Sequence, residues 1–229
     1  YGSVTMSSDG SVVAIARAET TFSASQYGSG NFVVNVLKRD AYSTWSLQHQ
    51  FADDSQIASL SADGTVLLTC SGRYYQNPVA RVYAYSNGQW GQRGSAFPTL
   101  GTDEYLEHCD LSSNGLVVAF SMLLRNPTTH KVQVHEWNGI SWQSRDELIT
   151  PNHRQGHAMS DLPVALNSDG TLLAISARSY HKADPIWGDK GGAGCTWVRQ
   201  WSGSEWSMRG NVICGDASND KLGRQMAFS

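Results

Sequence analysis

The sequence predicts an all-β chain built from repeated antiparallel units. Three observations carry the prediction: a turn motif that returns four times, a period near fifty residues, and a composition rich in glycine and poor in charge. The motif is a small residue, Asp-Gly or Asn-Gly, and then an apolar run. It reads Ser8-Asp9-Gly10 before Val12-Val13-Ala14-Ile15 and Ala62-Asp63-Gly64 before Val66-Leu67-Leu68. It returns as Ser113-Asn114-Gly115 before Leu116-Val117-Val118-Ala119 and as Ser168-Asp169-Gly170 before Leu172-Leu173-Ala174-Ile175. The glycines are 54, 51 and 55 residues apart. Tight turns with strands on either side, at that period, mark a repeat architecture.

Composition agrees. Of 229 residues, 16% are charged, 10% are aromatic and 22 are glycine, which suits a turn-rich β protein. The net charge of -3 comes from 17 basic and 20 acidic residues without a long run of either sign, so neither nucleic acid nor an anionic membrane is an expected partner. No segment approaches the roughly eighteen apolar residues of a membrane helix, and no membrane insertion is expected. The chain opens on Tyr1 rather than Met, inside a strand pattern, and a processed or excised chain is expected.

Each unit carries a second hairpin. Its incoming strand is Asn35–Lys38, then Arg81–Tyr85, Lys131–Trp137 and Thr196–Trp201, and in three units a glycine turn leads to a tryptophan: Asn87-Gly88 to Trp90, Asn138-Gly139 to Trp142, Ser202-Gly203 to Trp206. The first unit departs, using Asp40 to Thr44 before Trp45, and must obtain its positive φ without glycine. Four strands per unit make a sheet that cannot bury both faces alone, so neighbouring sheets must stack. Radial stacking gives a β-propeller of four-stranded blades. The approximate repeats are 1–52, 53–103, 104–158 and 159–222, with 223–229 opening another, all in one domain or fragment of one. Residues 223–229 either continue into a further blade or complete a small ring; part of a larger propeller is the expectation.

The four tryptophans are expected to pack between blades, and Arg93, Arg145 and Arg209, with Gln48 at the matching offset, to make repeated inter-blade hydrogen bonds. Length and composition vary instead in the connections, where a repeat scaffold hosts recognition. The candidate ligand-binding residues lie there: Tyr74, Tyr75, His153, His157, Tyr180, His181, Asp184 and Trp187.

Enzyme signatures are lacking. There is no nucleophile elbow, phosphate loop or dinucleotide fingerprint, and no catalytic residue is assigned. Glu104, Glu107 and Asp110 are close in sequence, as are Asp184 and Asp189, without an accompanying glycosidase signature. His153 and His157 are four apart, but Pro151 and Gly156 argue against the helix a zinc site would need, so no metal site is assigned. No cofactor is expected beyond a possible calcium ion, for which Asp216, Asn219 and Asp220, with Asp53 and Asp54, are the oxygen-rich candidates.

Cys70, Cys109, Cys195 and Cys214 read either as small buried residues or as one or two bridges. Cys70 occupies the register position of Ala16, Ser121 and Ser176, and Cys109 that of Val4 and Val164. Adjacent blades would bring them together. Cys195 and Cys214 flank the outer hairpin of the fourth unit and form the other candidate pair.

The succession of a Gly-led strand, Ser-Asp-Gly, Val-Ala-Ile, Val-x-Val-Tyr-x-Trp, Asn-Gly and Trp-x-x-Arg-Gly resembles the repeats of secreted or cell-surface β-propellers of algae and marine bacteria. It is distantly similar to the FG-GAP repeats of the integrin α-subunit. The Asp-rich calcium loop of the integrin form is not clearly retained. The resemblance implies an extracellular or cell-surface protein. The expected function is a non-catalytic scaffold, extracellular or part of an assembly, that recognises a protein or carbohydrate through blade-connecting loops. A carbohydrate-active enzyme with a carboxylate site in a propeller cleft and a purely structural subunit are the alternatives.

Overall fold

The computed structural model describes residues 2–18, 32–52, 55–71, 79–97, 104–125, 128–149, 162–178, 182–184 and 188–228; side chains are not described at 104, 125, 128–129, 147–149, 182–184 and 188–190. All regular structure within these ranges is strand. Blade I comprises β1 (Val4–Met6), β2 (Val12–Ala18), β3 (Phe32–Arg39) and β4 (Trp45–Phe51). Blade II comprises β5 (Ser55–Leu60), β6 (Val66–Ser71), β7 (Ala80–Ser86) and β8 (Gln89–Gln92). Blade III comprises β9 (Glu104–Leu111), β10 (Val117–Arg125), β11 (Thr128–Trp137) and β12 (Trp142–Ile149). Blade IV begins with β13 (Val164–Leu166) and β14 (Leu172–Ala177), inserts a hairpin of β15 (Lys182–Asp184) and β16 (Gly188–Lys190), and resumes with β17 (Cys195–Trp201), β18 (Trp206–Met208) and β19 (Ile213–Cys214).

Within blades I to III the strands pair antiparallel in chain order, and blade IV follows the order β13-β14-β17-β18 with β19 on the far end of β17. β19 pairs with the start of β17 as the end of β4 pairs with the start of β3 and the end of β12 with β11, so it is the interrupted continuation of the fourth strand.

Burial explains the composition of each strand. All six residues of β6, Val-Leu-Leu-Thr-Cys-Ser, are buried, since the second strand of a blade is covered on both faces. Alternate residues of one blade meet the next. Val12, Ala14, Val34 and Val36 of blade I pack on Ala58, Leu60 and Leu67 of blade II. Val66, Leu68 and Val82 pack on Leu111, Val118 and Phe120 of blade III. Val117, Ala119, Val132 and Val134 pack on Leu166, Leu173, Ile175 and Trp197 of blade IV.

The recurring turn is held by a residue two positions ahead of its Asp or Asn. Ser7 Oγ donates to Asp9 Oδ1 at 2.6 Å and accepts the Val12 N–H at 2.9 Å. Ser61 serves Asp63 and Val66 at 2.6 and 2.9 Å, and Ser112 serves Asn114 and Val117 at 2.7 and 2.9 Å. In the fourth turn the Asn167 Oδ1 accepts the Leu172 N–H at 2.8 Å. Gly115 and Gly170, both at φ 70°, press on the preceding blade, where a Cβ would lie 2.7 Å from Val66 and 2.4 Å from Val117. Glycine is thus needed twice over, for the turn and for the close approach.

The first unit solves its second turn without glycine. Ser43 takes φ 65°, while Asp40 Oδ1 accepts the N–H groups of Tyr42 and Thr44 at 2.9 and 2.8 Å.

The basic residues and tryptophans join successive blades. Arg93 Nη1 donates to the Gly115 carbonyl at 3.0 Å, and Arg145 Nη1 to the Gly170 carbonyl at 2.7 Å. In return the Trp142 indole donates to the Arg93 carbonyl at 3.0 Å, and the Trp206 indole to the Arg145 carbonyl at 3.1 Å. Between blades I and II, Trp90 donates instead to the Gln48 side chain at 3.3 Å.

Two disulfides complete the frame. Cys70–Cys109 ties blade II to blade III, and Cys195–Cys214 ties β17 to β19.

Candidate functional site

One register position per blade converges on a common cavity. Ser3, Ile57, His108 and Pro163 lie just ahead of Val4, Ala58, Cys109 and Val164, which face Ile15, Thr69, Phe120 and Ile175 across their hairpins. Together with Gln56 and residues 224–227 they line a space of about 890 Å³. The first strand of each blade delivers one of these side chains, because a period-2 strand that packs on its neighbour at one residue points the adjacent residue elsewhere.

Its chemistry is mixed. Gln56, Gln225, His108 and Arg224 provide amide, imidazole and guanidinium groups beside the apolar surface of Val4, Ile57, Pro163 and Met226. Among the described residues no carboxylate lines it. Such a surface offers hydrogen-bonding groups beside apolar contact area.

Two acidic residues of β9, Glu107 and Asp110, are occupied elsewhere. Glu107 lies in a β-bulge, where the pairing of β9 and β10 shifts, and its carboxylate meets His130 Nε2 at 3.3 Å in a fully buried pocket. Asp110 accepts from the Ser59 hydroxyl of blade II and from the Leu166 N–H of blade IV, both at 2.8 Å. Burial pushes its carboxyl upward, against the hydrogen bonds from Leu166, Ser59 and Leu111. The residue therefore clamps three blades. Thr5 and Ser59 occupy the same register position and likewise accept the N–H of Leu60 and Leu111 in the next blade, at 3.3 and 3.2 Å.

The loop proposed for calcium closes on itself. Asp220 Oδ2 accepts the N–H groups of Asp216 and Ala217 at 2.9 and 2.8 Å, and the backbone of Asn219, Lys221 and Leu222 donates to the carbonyls of Gly191, Gly192 and Ala193. Among the described residues no group of three or more His, Cys, Asp or Glu is arranged to hold a metal ion. Asp53 and Asp54 lie outside the described residues.

The same is true of Tyr74, Tyr75, His153, His157, Tyr180, His181 and Trp187. Asp184 ends β15, where only the backbone is described. The cavity residues Gln56, His108 and Arg224 were not singled out from the sequence. For His108 the available signal was the register position it shares with Ser3, Ile57 and Pro163, and it was hidden because Ser, Ile, His and Pro share no chemical type.

No protein-family model matches the chain, and no curated protein matches it in sequence. Its fold is shared with solved structures. Sqt1 from Chaetomium thermophilum is 14% identical, with a TM-score of 0.55, over 87% of this chain and 42% of that one. An oligogalacturonate lyase from Vibrio parahaemolyticus is 12% identical at a TM-score of 0.52, over 91% and 53% of the two chains. The β-propeller domain of the Trilobed protease from Pyrococcus furiosus is 6% identical at 0.51, over 94% and 56%. The chain spans about half the length of the solved structures it matches. At these identities the likeness is one of fold, and together with the four stacked sheets it shows that this chain has a β-propeller fold.

Proposed function

We propose that the chain is a non-catalytic recognition scaffold that binds a protein or glycan through its blade-connecting loops. One observation supports this reading above the others: the polar side chains that recur with the repeat are consumed in holding blades together, while the departures from the repeat fall in the connections. Ser61, Asp63, Arg93 and Asp110 all have partners within or between blades. The connections carrying Tyr74, Tyr75, Tyr180 and Trp187 are left for contact with a partner, with His153, His157, His181 and Asp184 giving it direction. The two disulfides and the resemblance to secreted propeller repeats support an extracellular or cell-surface setting.

The test applies the full chain to a glycan array and to immobilised extracellular proteins. Saturable binding, weakened about tenfold or more by Trp187→Ala or Tyr180→Ala without loss of fold, is the expected result. Release of a cleaved glycan, abolished by Glu107→Gln, would replace this reading with the enzymatic one.

A further inference from the structure

The hairpin inserted into blade IV returns to the sheet through Gly191-Gly192-Ala193-Gly194, and the connection that follows β19 lies directly on that exit. The N–H groups of Gly215, Asn219, Lys221 and Leu222 donate to the carbonyls of Gly194, Gly191, Gly192 and Ala193 at 3.0, 3.0, 3.1 and 3.0 Å. The two backbones touch: a Cβ on Gly194 would collide with Leu222, and one on Gly215 with the Ala193 carbonyl. Residues 215–222 thus form a strap across the foot of the insertion that carries Tyr180, His181, Asp184 and Trp187.

The strap is anchored by Cys195–Cys214. β19 contributes only Ile213 and Cys214 to the ladder with β17, and the disulfide joins the second of these pairs just where the strap begins. Strap residues 216–221 are exposed. Exposed backbone hydrogen bonds gain little net free energy against the entropy of ordering eight residues, so the covalent link decides whether the strap stays in place. The two disulfides differ in access. Cys70 and Cys109 are 0% and 7% exposed within the core between blades II and III, whereas Cys214 is half-buried against the core between blades III and IV. Thiol exchange depends on access to the attacked sulfur, and Cys214 is the one that a reductant reaches first.

We infer that Cys195–Cys214 is a redox-sensitive clasp that regulates recognition through the blade IV insertion, an inference that rests on the loop-binding role proposed above. One thiolate of a dithiol reductant attacks Cys214 Sγ and the S–S bond breaks, leaving Cys195 as a thiolate that takes up a proton. The second thiolate of the reductant then displaces Cys214, which is protonated in turn, and the reductant leaves as an intramolecular disulfide. Two electrons and two protons have passed to the protein. Residues 215–222 then separate from 191–194, and the insertion loses its fixed exit. The arrangement that a partner requires must be ordered again on binding, so affinity falls.

The test titrates the full oxidised chain with dithiothreitol, traps free thiols with iodoacetamide under native conditions, maps them by peptide, and follows hydrogen exchange in the same samples. Cys195 and Cys214 are expected to be trapped about tenfold faster than Cys70 and Cys109. Exchange at Gly215, Asn219, Lys221 and Leu222 should rise about tenfold or more while β5 to β12 stay protected. Asp220→Ala removes the acceptor of the Asp216 and Ala217 N–H groups without touching a cysteine, and should speed both events at the strap. Earlier or equal trapping of Cys70 and Cys109 overturns the inference, as does a reduced Cys195–Cys214 with unchanged strap exchange or a loss of protection through all four blades. On the glycan array and the immobilised extracellular proteins, reduction should weaken binding about tenfold or more, as Trp187→Ala should. Binding that Trp187→Ala weakens and reduction leaves unchanged overturns the clasp alone, whereas no binding by the oxidised chain overturns the recognition role beneath it.

Discussion

Ser7, Ser61 and Ser112 perform one task in three turns, and Asn167 performs it in the fourth. Each accepts the N–H of the residue five positions on, the first residue of the strand that follows the turn. In Ser61→Ala that buried N–H and the Asp63 carboxylate both lose a partner, so urea denaturation should show a loss of about 1–3 kcal/mol; a change within error would remove the turn as a stabilising element. The turn carboxylates also set an acid limit. The Ser7 hydroxyl, then the Ser11 N–H and hydroxyl, hold Asp9 at about 2, below its ordinary value of 3.8. The Thr171 hydroxyl and N–H lower Asp169 likewise, and at Asp63 burial pushes upward but the bonds from Ser61 and Thr65 outweigh it. A depressed carboxyl stabilises the fold above its unfolded pKa, and that contribution is lost as pH falls through the folded value. Stability should therefore drop between about pH 4 and pH 2, and less steeply in Asp9→Asn. The Asp-Gly pairs were legible because the turn needs those two types side by side. The serine two places earlier was not, because an isolated Ser near a turn has many uses.

Between elements, the Trp and Arg contacts give each blade its neighbour. Arg145 is buried, pairs with Glu136 at 2.8 Å and reaches the Gly170 carbonyl, while its guanidinium stacks 5.6 Å from the Trp201 ring centre. The hydrogen bond from Arg145 holds the Glu136 carboxyl below its ordinary range. Arg145→Ala should destabilise the chain by about 2–3 kcal/mol in chemical denaturation, and Arg145→Lys should recover little. A point charge cannot serve carboxylate, carbonyl and ring together. The recurrence of Trp-x-x-Arg announced an inter-blade role. Its direction, with Arg reaching forward to a glycine carbonyl and Trp reaching back to the Arg carbonyl, required the stacked sheets to be seen.

Across the molecule, the two disulfides act on different ranges. Cys70–Cys109 closes a separation of 39 residues between two blades, and Cys195–Cys214 closes 19 within one. In the chain-entropy model these separations correspond to about 4 and about 3 kcal/mol. The Cys70→Ala/Cys109→Ala double variant should lower the melting temperature more than Cys195→Ala/Cys214→Ala, as calorimetry would show. Equal losses would indicate that strain or residual unfolded-state structure dominates. The strands, their grouping in fours and the candidate cysteine pairs followed from the sequence because backbone periodicity and turn chemistry are local, and a repeat states them four times. The cavity at Ser3, Ile57, His108 and Pro163 and the clamp at Asp110 were decided only by tertiary structure. They depend on which residue of one blade meets which residue of another, and that follows from the stacking angle of whole sheets rather than from neighbours along the chain.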